Sequence, residues 1–65
     1  MDKTVKATMR LARYCEDNNL LYGQPSRYNL EEDYEFVKCY DDDGDVIWKY
    51  SIENDKIIFS DDSEY

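Results

Sequence analysis

The 65-residue chain has no histidine, only two glycines, one proline and two cysteines. Without an imidazole there is no His-ligated zinc, no Ser-His-Asp or Cys-His catalysis and no histidine-driven pH switch. Cys15 and Cys39 form no C-x-x-C pair and are too few to announce a disulfide framework. A single bridge between them stays open. There is no secretory apolar segment at the N-terminus and no apolar run near the roughly 18 residues of a membrane span. The expectation is a reduced, cytoplasmic protein.

Scarce glycine and proline also argue against a low-complexity acidic tail. Seven Tyr, two Phe and one Trp stand beside a net charge of −8. The aromatic content supports a folded domain rather than a disordered one. At this length one small domain is expected, burying about 60% of the surface of its unfolded chain. A deep enzymatic cleft is not expected.

Positive charge is scarce only in one part of the chain. Up to Leu30, Lys3, Lys6, Arg10, Arg13 and Arg27 stand against Asp2, Glu16 and Asp17, a net of +2. From Glu31 onward, 13 acids stand against Lys38, Lys49 and Lys56, a net of −10. Duplex DNA and anionic membranes are poor partners for such a chain.

The spacing predicts a helix from about Asp2 or Thr4 to Asn18. Lys3, Lys6, Arg10, Arg13 and Asp17 share one face, with Thr4, Val5, Thr8, Leu11, Ala12 and Cys15 broadly opposite. Asp2 is the candidate N-cap, and Asn18-Asn19 can end the helix. The basic face is either a solvated surface balancing the acidic half or a contact for an acidic partner or second copy. Four cations over three turns are too few for nucleic-acid binding. Gly23-Gln24-Pro25-Ser26 marks a connection and lacks the pattern of a phosphate loop. Asn29 with Glu32 three residues on has the pattern of a short capped helical turn. Leu20, Leu21, Tyr22 and Tyr28 are expected to pack around this corner.

The remainder reads as a three-stranded antiparallel β-meander, Tyr34–Tyr40, Val46–Ile52 and Lys56–Ser60, so the expected fold is α+β in the order α-β-β-β. A loop of Asp42, Asp43 and Gly44, with Gly44 left-handed, pairs Tyr40 with Val46, Lys38 with Trp48, Phe36 with Tyr50 and Tyr34 with Ile52. A two-residue Asp43-Gly44 turn is disfavoured, because it sets Lys38 opposite Lys49 and Phe36 opposite Ser51. An Asn54-Asp55 turn continues the face by pairing Ile52 with Ile57 and Tyr50 with Phe59. Tyr34, Phe36, Tyr40, Val46, Trp48, Tyr50, Ile52, Ile57 and Phe59 are then the core face under the helix. Glu35, Val37, Cys39, Ile47, Lys49, Ser51 and Ile58 face outward. Either free sheet edge is open to strand addition.

No Ser or Cys has a base nearby, and carboxylates at a wet turn tip gain neither a raised pKa nor a cavity. The chain is therefore read as non-enzymatic, with no cofactor and no dedicated metal site. A weak calcium-binding module at the Asp41–Asp45 turn is one alternative. Aligning Gly44 with the glycine of an EF-hand loop leaves the first ligand as Cys39 and the twelfth as Tyr50, so the essential acids are missing. Asp61, Asp62 and Glu64 read as a flexible acidic tail over 61–65.

Electrostatic recognition uses the charge more economically. Glu31, Glu32, Asp33 and Glu35 precede the first strand, Asp41, Asp42, Asp43 and Asp45 surround the first turn, and Glu53 and Asp55 mark the second. On extended backbone, alternate carboxylates lie about 6.6 Å apart, within a factor of about two of phosphate spacing. The leading expectation is an inhibitor that occupies the basic, nucleic-acid-binding surface of a partner protein. Small host-takeover proteins of bacteriophages use that strategy, an analogy independent of fold. The main alternative is an adaptor or antitoxin-like protein, or a homodimer, binding through the Val37, Cys39, Ile47 and Ile58 face. Solubility alone needs a net charge of only about 2–8 and does not call for the charge to be concentrated in one half.

Overall fold

A computed structural model describes residues 2–65. Helix α1 (Lys3–Asp17) packs on an antiparallel sheet of four strands, β1 (Leu30–Glu32), β2 (Phe36–Tyr40), β3 (Val46–Ser51) and β4 (Lys56–Phe59), in the spatial order β1-β2-β3-β4. The fold is α+β, and the expected three-stranded sheet is corrected to four.

Asp2 caps α1, its carboxylate accepting from the Thr4 N–H at 3.0 Å. At the other end Asn19 adopts φ +56, and the Leu20 N–H reaches the Cys15 carbonyl at 2.8 Å. This 6→1 bond closes the helix with asparagine in the position glycine usually fills. Ala7, Leu11 and Cys15 are the buried ridge, whereas Val5 and Met9 are exposed. The apolar stripe thus lies rotated from its expected centre, towards Arg10 and Tyr14. Tyr14 stacks against Phe59 at 4.5 Å and Tyr65 at 5.1 Å between ring centroids, tying the helix to β4 and the C-terminus.

The additional strand comes from Leu30-Glu31-Glu32, read from sequence as a helical turn. The one turn of 3₁₀ helix sits earlier, at Arg27–Asn29, capped by Ser26. Two successive acids have little intrinsic strand preference, so tertiary pairing decides: Leu30 opposes Cys39, Glu31 opposes Lys38 and Glu32 opposes Val37. Asp33 closes the β1–β2 turn. Its N–H donates to the Phe36 carbonyl at 2.9 Å, and its carboxylate accepts from the Glu35 and Phe36 N–H groups at 2.9 and 2.8 Å. Tyr34, expected in a strand and in the core, stands exposed in this turn.

The β2–β3 turn forms as expected. Gly44 takes φ +89, its N–H donates to the Asp41 carbonyl, and Tyr40 opposes Val46. A bulge one step beyond then changes the register: Cys39 opposes Trp48, leaving Ile47 extra. Every pair beyond it shifts, so Val37 opposes Tyr50, Lys38 opposes Lys49 and Phe36 opposes Ser51. This is the pairing that sequence reasoning set aside. The expected register would have put Lys38 beneath the helix; the observed one buries Val37 (0% exposed) and Cys39 (3%) instead. Like charges across the ladder are separately accommodated. Lys38 lies opposite Glu31 and 3.8 Å from Asp33, while Lys49 lies over the Phe36 ring at 4.9 Å.

The β3–β4 connection is also corrected. Ser51 opposes Lys56 and Tyr50 opposes Ile57, so residues 52–55 form the loop, with Asp55 at φ +53. The core is Ala7, Leu11 and Cys15 from the helix with Val37, Cys39, Trp48, Tyr50 and Ile57 from the sheet. Leu20, Leu21, Tyr22 and Tyr28 do not pack around a corner; Leu21 and Tyr28 are almost fully exposed.

Both sheet edges are managed. β1 is three residues long and carries two acids. Beyond β4, residues 61–65 turn back: Phe59 N–H donates to the Ser63 carbonyl at 2.8 Å, and Ile57 and Tyr65 exchange bonds of 3.0 and 2.9 Å.

Candidate acidic site

The antiparallel topology sorts the acids by turn. The β1–β2 turn and the β3–β4 loop share one end of the sheet, where the Ile52 N–H donates to the Glu35 carbonyl at 3.0 Å. Glu32, Asp33, Glu35, Glu53 and Asp55 belong to that end. Asp41, Asp42, Asp43 and Asp45 belong to the opposite end. Residues 60–62 join them there, with the Ser60 N–H donating to the Ile47 carbonyl and Asp62 beside Val46. A six-residue strand separates the two ends by about 20 Å. Glu31 lies between them on β1, 3.3 Å from the Tyr40 hydroxyl, which donates to it. The ten expected binding residues therefore form no single row, and nearly all occupy turns rather than extended strand.

At the first end three of the five carboxylates, Glu32, Asp33 and Asp55, serve the fold. Glu35 and Glu53 make no ion pair or side-chain hydrogen bond among the described residues. Glu32 accepts from the Thr4 hydroxyl at 2.9 Å, holding the start of α1 on β1. Asp33 is held below the usual carboxylate range, chiefly by the N–H groups of Phe36 and Glu35 and further by Lys38 and Lys3. Asp55 is lowered first by the Tyr50 hydroxyl and then by Arg10. The Tyr50 O–H donates to one Asp55 oxygen at 2.5 Å, and Arg10 donates to the other. Burial, followed by this carboxylate, pushes Tyr50 up to about 12.

The second end is arranged differently. Asp41 accepts from the Asp43 and Asp45 N–H groups, both at 2.9 Å, and so builds the turn. Asp61 is lowered by the hydroxyl and N–H of Ser63. Asp42, Asp43, Asp45 and Asp62 make no ion pair or side-chain hydrogen bond among the described residues. They surround Val46 and Ile47, which are exposed. Beside them a depression of about 360 Å³ reaches down to Leu11, Cys39 and Trp48, with Asp41 and Asp42 on its rim.

No group of three or more Cys, Asp or Glu among the described residues is arranged to hold a metal ion. Asp41, the central carboxylate of the Asp41–Asp45 turn, is instead turned onto backbone N–H groups. The alternative binding face is corrected outright. Val37 and Cys39 lie beneath the helix and cannot meet a partner, and of that set only Ile47 is well exposed. Burial pushes the Cys39 thiol up, and both cysteines are free.

One grouping escaped sequence reasoning. Lys6, Arg10 and Arg13 line an open groove of about 460 Å³ together with Met9, Ile52, Tyr50 and Asp55. The helical spacing of the cations was visible in the chain; the loop that faces them was not, because it depends on the β3–β4 register. No helix among the described residues is long and apolar enough to cross a membrane. Comparison of the chain with known protein families, curated proteins and solved structures finds no match.

Proposed function

We propose that the protein is a non-enzymatic binder that presents the Asp41–Asp45 end of its sheet to a basic surface on another protein. The observation that carries this reading is the concentration of carboxylates without internal partners, Asp42, Asp43, Asp45 and Asp62, around exposed Val46 and Ile47. Charges already engaged within a fold contribute little to an encounter; solvated ones of a single sign steer it and speed association. The adjoining depression offers a place for one apolar side chain of the partner, so a basic segment with an apolar anchor fits both features. In its narrowest form the reading is inhibition, with the acidic end occupying a groove that otherwise holds nucleic acid. A reducing compartment such as the cytoplasm agrees with two buried, unbridged cysteines.

The test is affinity capture from the source cell at low and high salt, run in parallel with a D42N/D43N/D45N variant. The variant spares Asp41 and with it the turn. The expected result is a basic protein retained at low salt, released at high salt, lost with the variant and displaced by added nucleic acid. Equal retention by the variant at low salt overturns the proposal. Retention that nucleic acid leaves untouched removes the inhibitor form and keeps the basic-partner form.

A further inference from the structure

The groove beside α1 runs against the electrostatics of the rest of the chain. Lys6, Arg10 and Arg13 stand there against Asp55 alone, leaving two net positive charges in a protein whose net is −8. With sixteen acids in the chain, every cation had candidates for pairing. Lys6 and Arg13 nevertheless make no ion pair among the described residues.

Arg10 is the built part of this groove. Tyr50 is 1% exposed, and its hydroxyl fixes one oxygen of Asp55. The other oxygen engages one terminal nitrogen of Arg10. A guanidinium carries five N–H donors in a rigid fork, so the remaining donors stay available in an orientation held by the core. Lys6 lies one turn before Arg10, and Arg13 one turn after. Met9 and Ile52 add apolar wall to the same groove.

From this geometry we infer a binding site for a small phosphate monoester with a compact apolar body. A dianion matches the two net positive charges, and an arginine fork with flanking cations suits phosphate oxygens. The apolar wall accepts the remainder of the ligand, and the volume lies in the range of small-molecule sites. The carboxylates of the Asp41–Asp45 end do not cancel the local field, because they lie a strand length away and at physiological salt charges are screened over about 8 Å. This site is independent of the Asp41–Asp45 end and of any protein partner found there.

The experiment is a titration of isotope-labelled protein with phenyl phosphate, inorganic phosphate and phenol, followed by backbone amide shifts. Saturable shifts centred on Lys6, Arg10, Arg13 and Asp55 are expected with phenyl phosphate. Inorganic phosphate should act at the same amides more weakly, and phenol should leave them unmoved. A K6Q/R13Q variant retains the Tyr50–Asp55–Arg10 chain and therefore the fold, and should weaken binding by about tenfold or more. Absence of saturation by about 10 mM phenyl phosphate overturns the inference. So do shifts centred elsewhere, equal shifts with phenol, or unchanged affinity in the variant.

Discussion

The two ends of the sheet carry similar numbers of acids and put them to opposite uses. At the Asp33–Asp55 end Glu32, Asp33 and Asp55 hold backbone N–H groups, a buried tyrosine, a threonine and an arginine. At the Asp41–Asp45 end, Asp41 alone builds the turn, and the carboxylates after it face water. Acidic composition is therefore not one property here. Part of it is scaffold, and part is available surface.

The largest expected effect removes the support that both ends share. Trp48 is 5% exposed in the core, and Trp48→Ala should cost about 3–5 kcal/mol, much of the stability of a domain this small. Chemical denaturation should show a variant largely unfolded without denaturant; a loss below about 1 kcal/mol would refute the register described above.

A smaller change separates the ends. Tyr50→Phe deletes only the hydroxyl that Asp55 accepts and should cost about 1–2 kcal/mol, measured by the denaturation midpoint. It should also change the pH limits. Asp33 and Asp55 are depressed in the folded protein, so their stabilisation is present above the usual carboxylate range and fades as pH falls through their lowered values. Tyr50 is raised to about 12 from 10.0, so its share is complete below 10.0 and disappears as pH climbs towards about 12. Tyr50→Phe should flatten the alkaline limb and steepen neither. An unchanged alkaline limb would show that the hydroxyl–carboxylate bond is not formed.

The smallest effect belongs to the exposed end. D42N/D43N should leave folding stability within about 0.5 kcal/mol of the parent while reducing partner association. A clear loss of stability would mean that this end, too, is scaffold.

Local chemistry made parts of this molecule legible in the chain. Asp2 and Asn18-Asn19 bound the helix, and Gly44 required the left-handed turn. The acids of Asp41–Asp45 and Asp55 lie at turns as the chain suggests, whereas Glu31 and Glu32 lie in strand β1. Which acids the fold engages was hidden, since Glu32 meets Thr4 only from a strand built on Leu30-Glu31-Glu32, whose residues favour no strand by themselves. The inner face of β2 was hidden for a different reason. Pattern alone made Phe36 and Tyr40 better core residues than Val37 and Cys39, and a bulge decided otherwise. The basic groove needed the β3–β4 correction, because Asp55 meets Arg10 only in the observed loop.

Ile47 has a further consequence for how this chain can change length. Side chains alternate along a strand, so its single unpaired position acts as a parity bit for everything in β2 before Tyr40. Losing one residue between Val46 and Trp48 would turn that strand inside out, bringing Lys38 under the helix and Val37 and Cys39 to water. Losing one within Asp42–Asp45 would alter a loop that already faces water. Length variation is thus tolerable on one side of Val46 and ruinous on the other, a few ångströms apart.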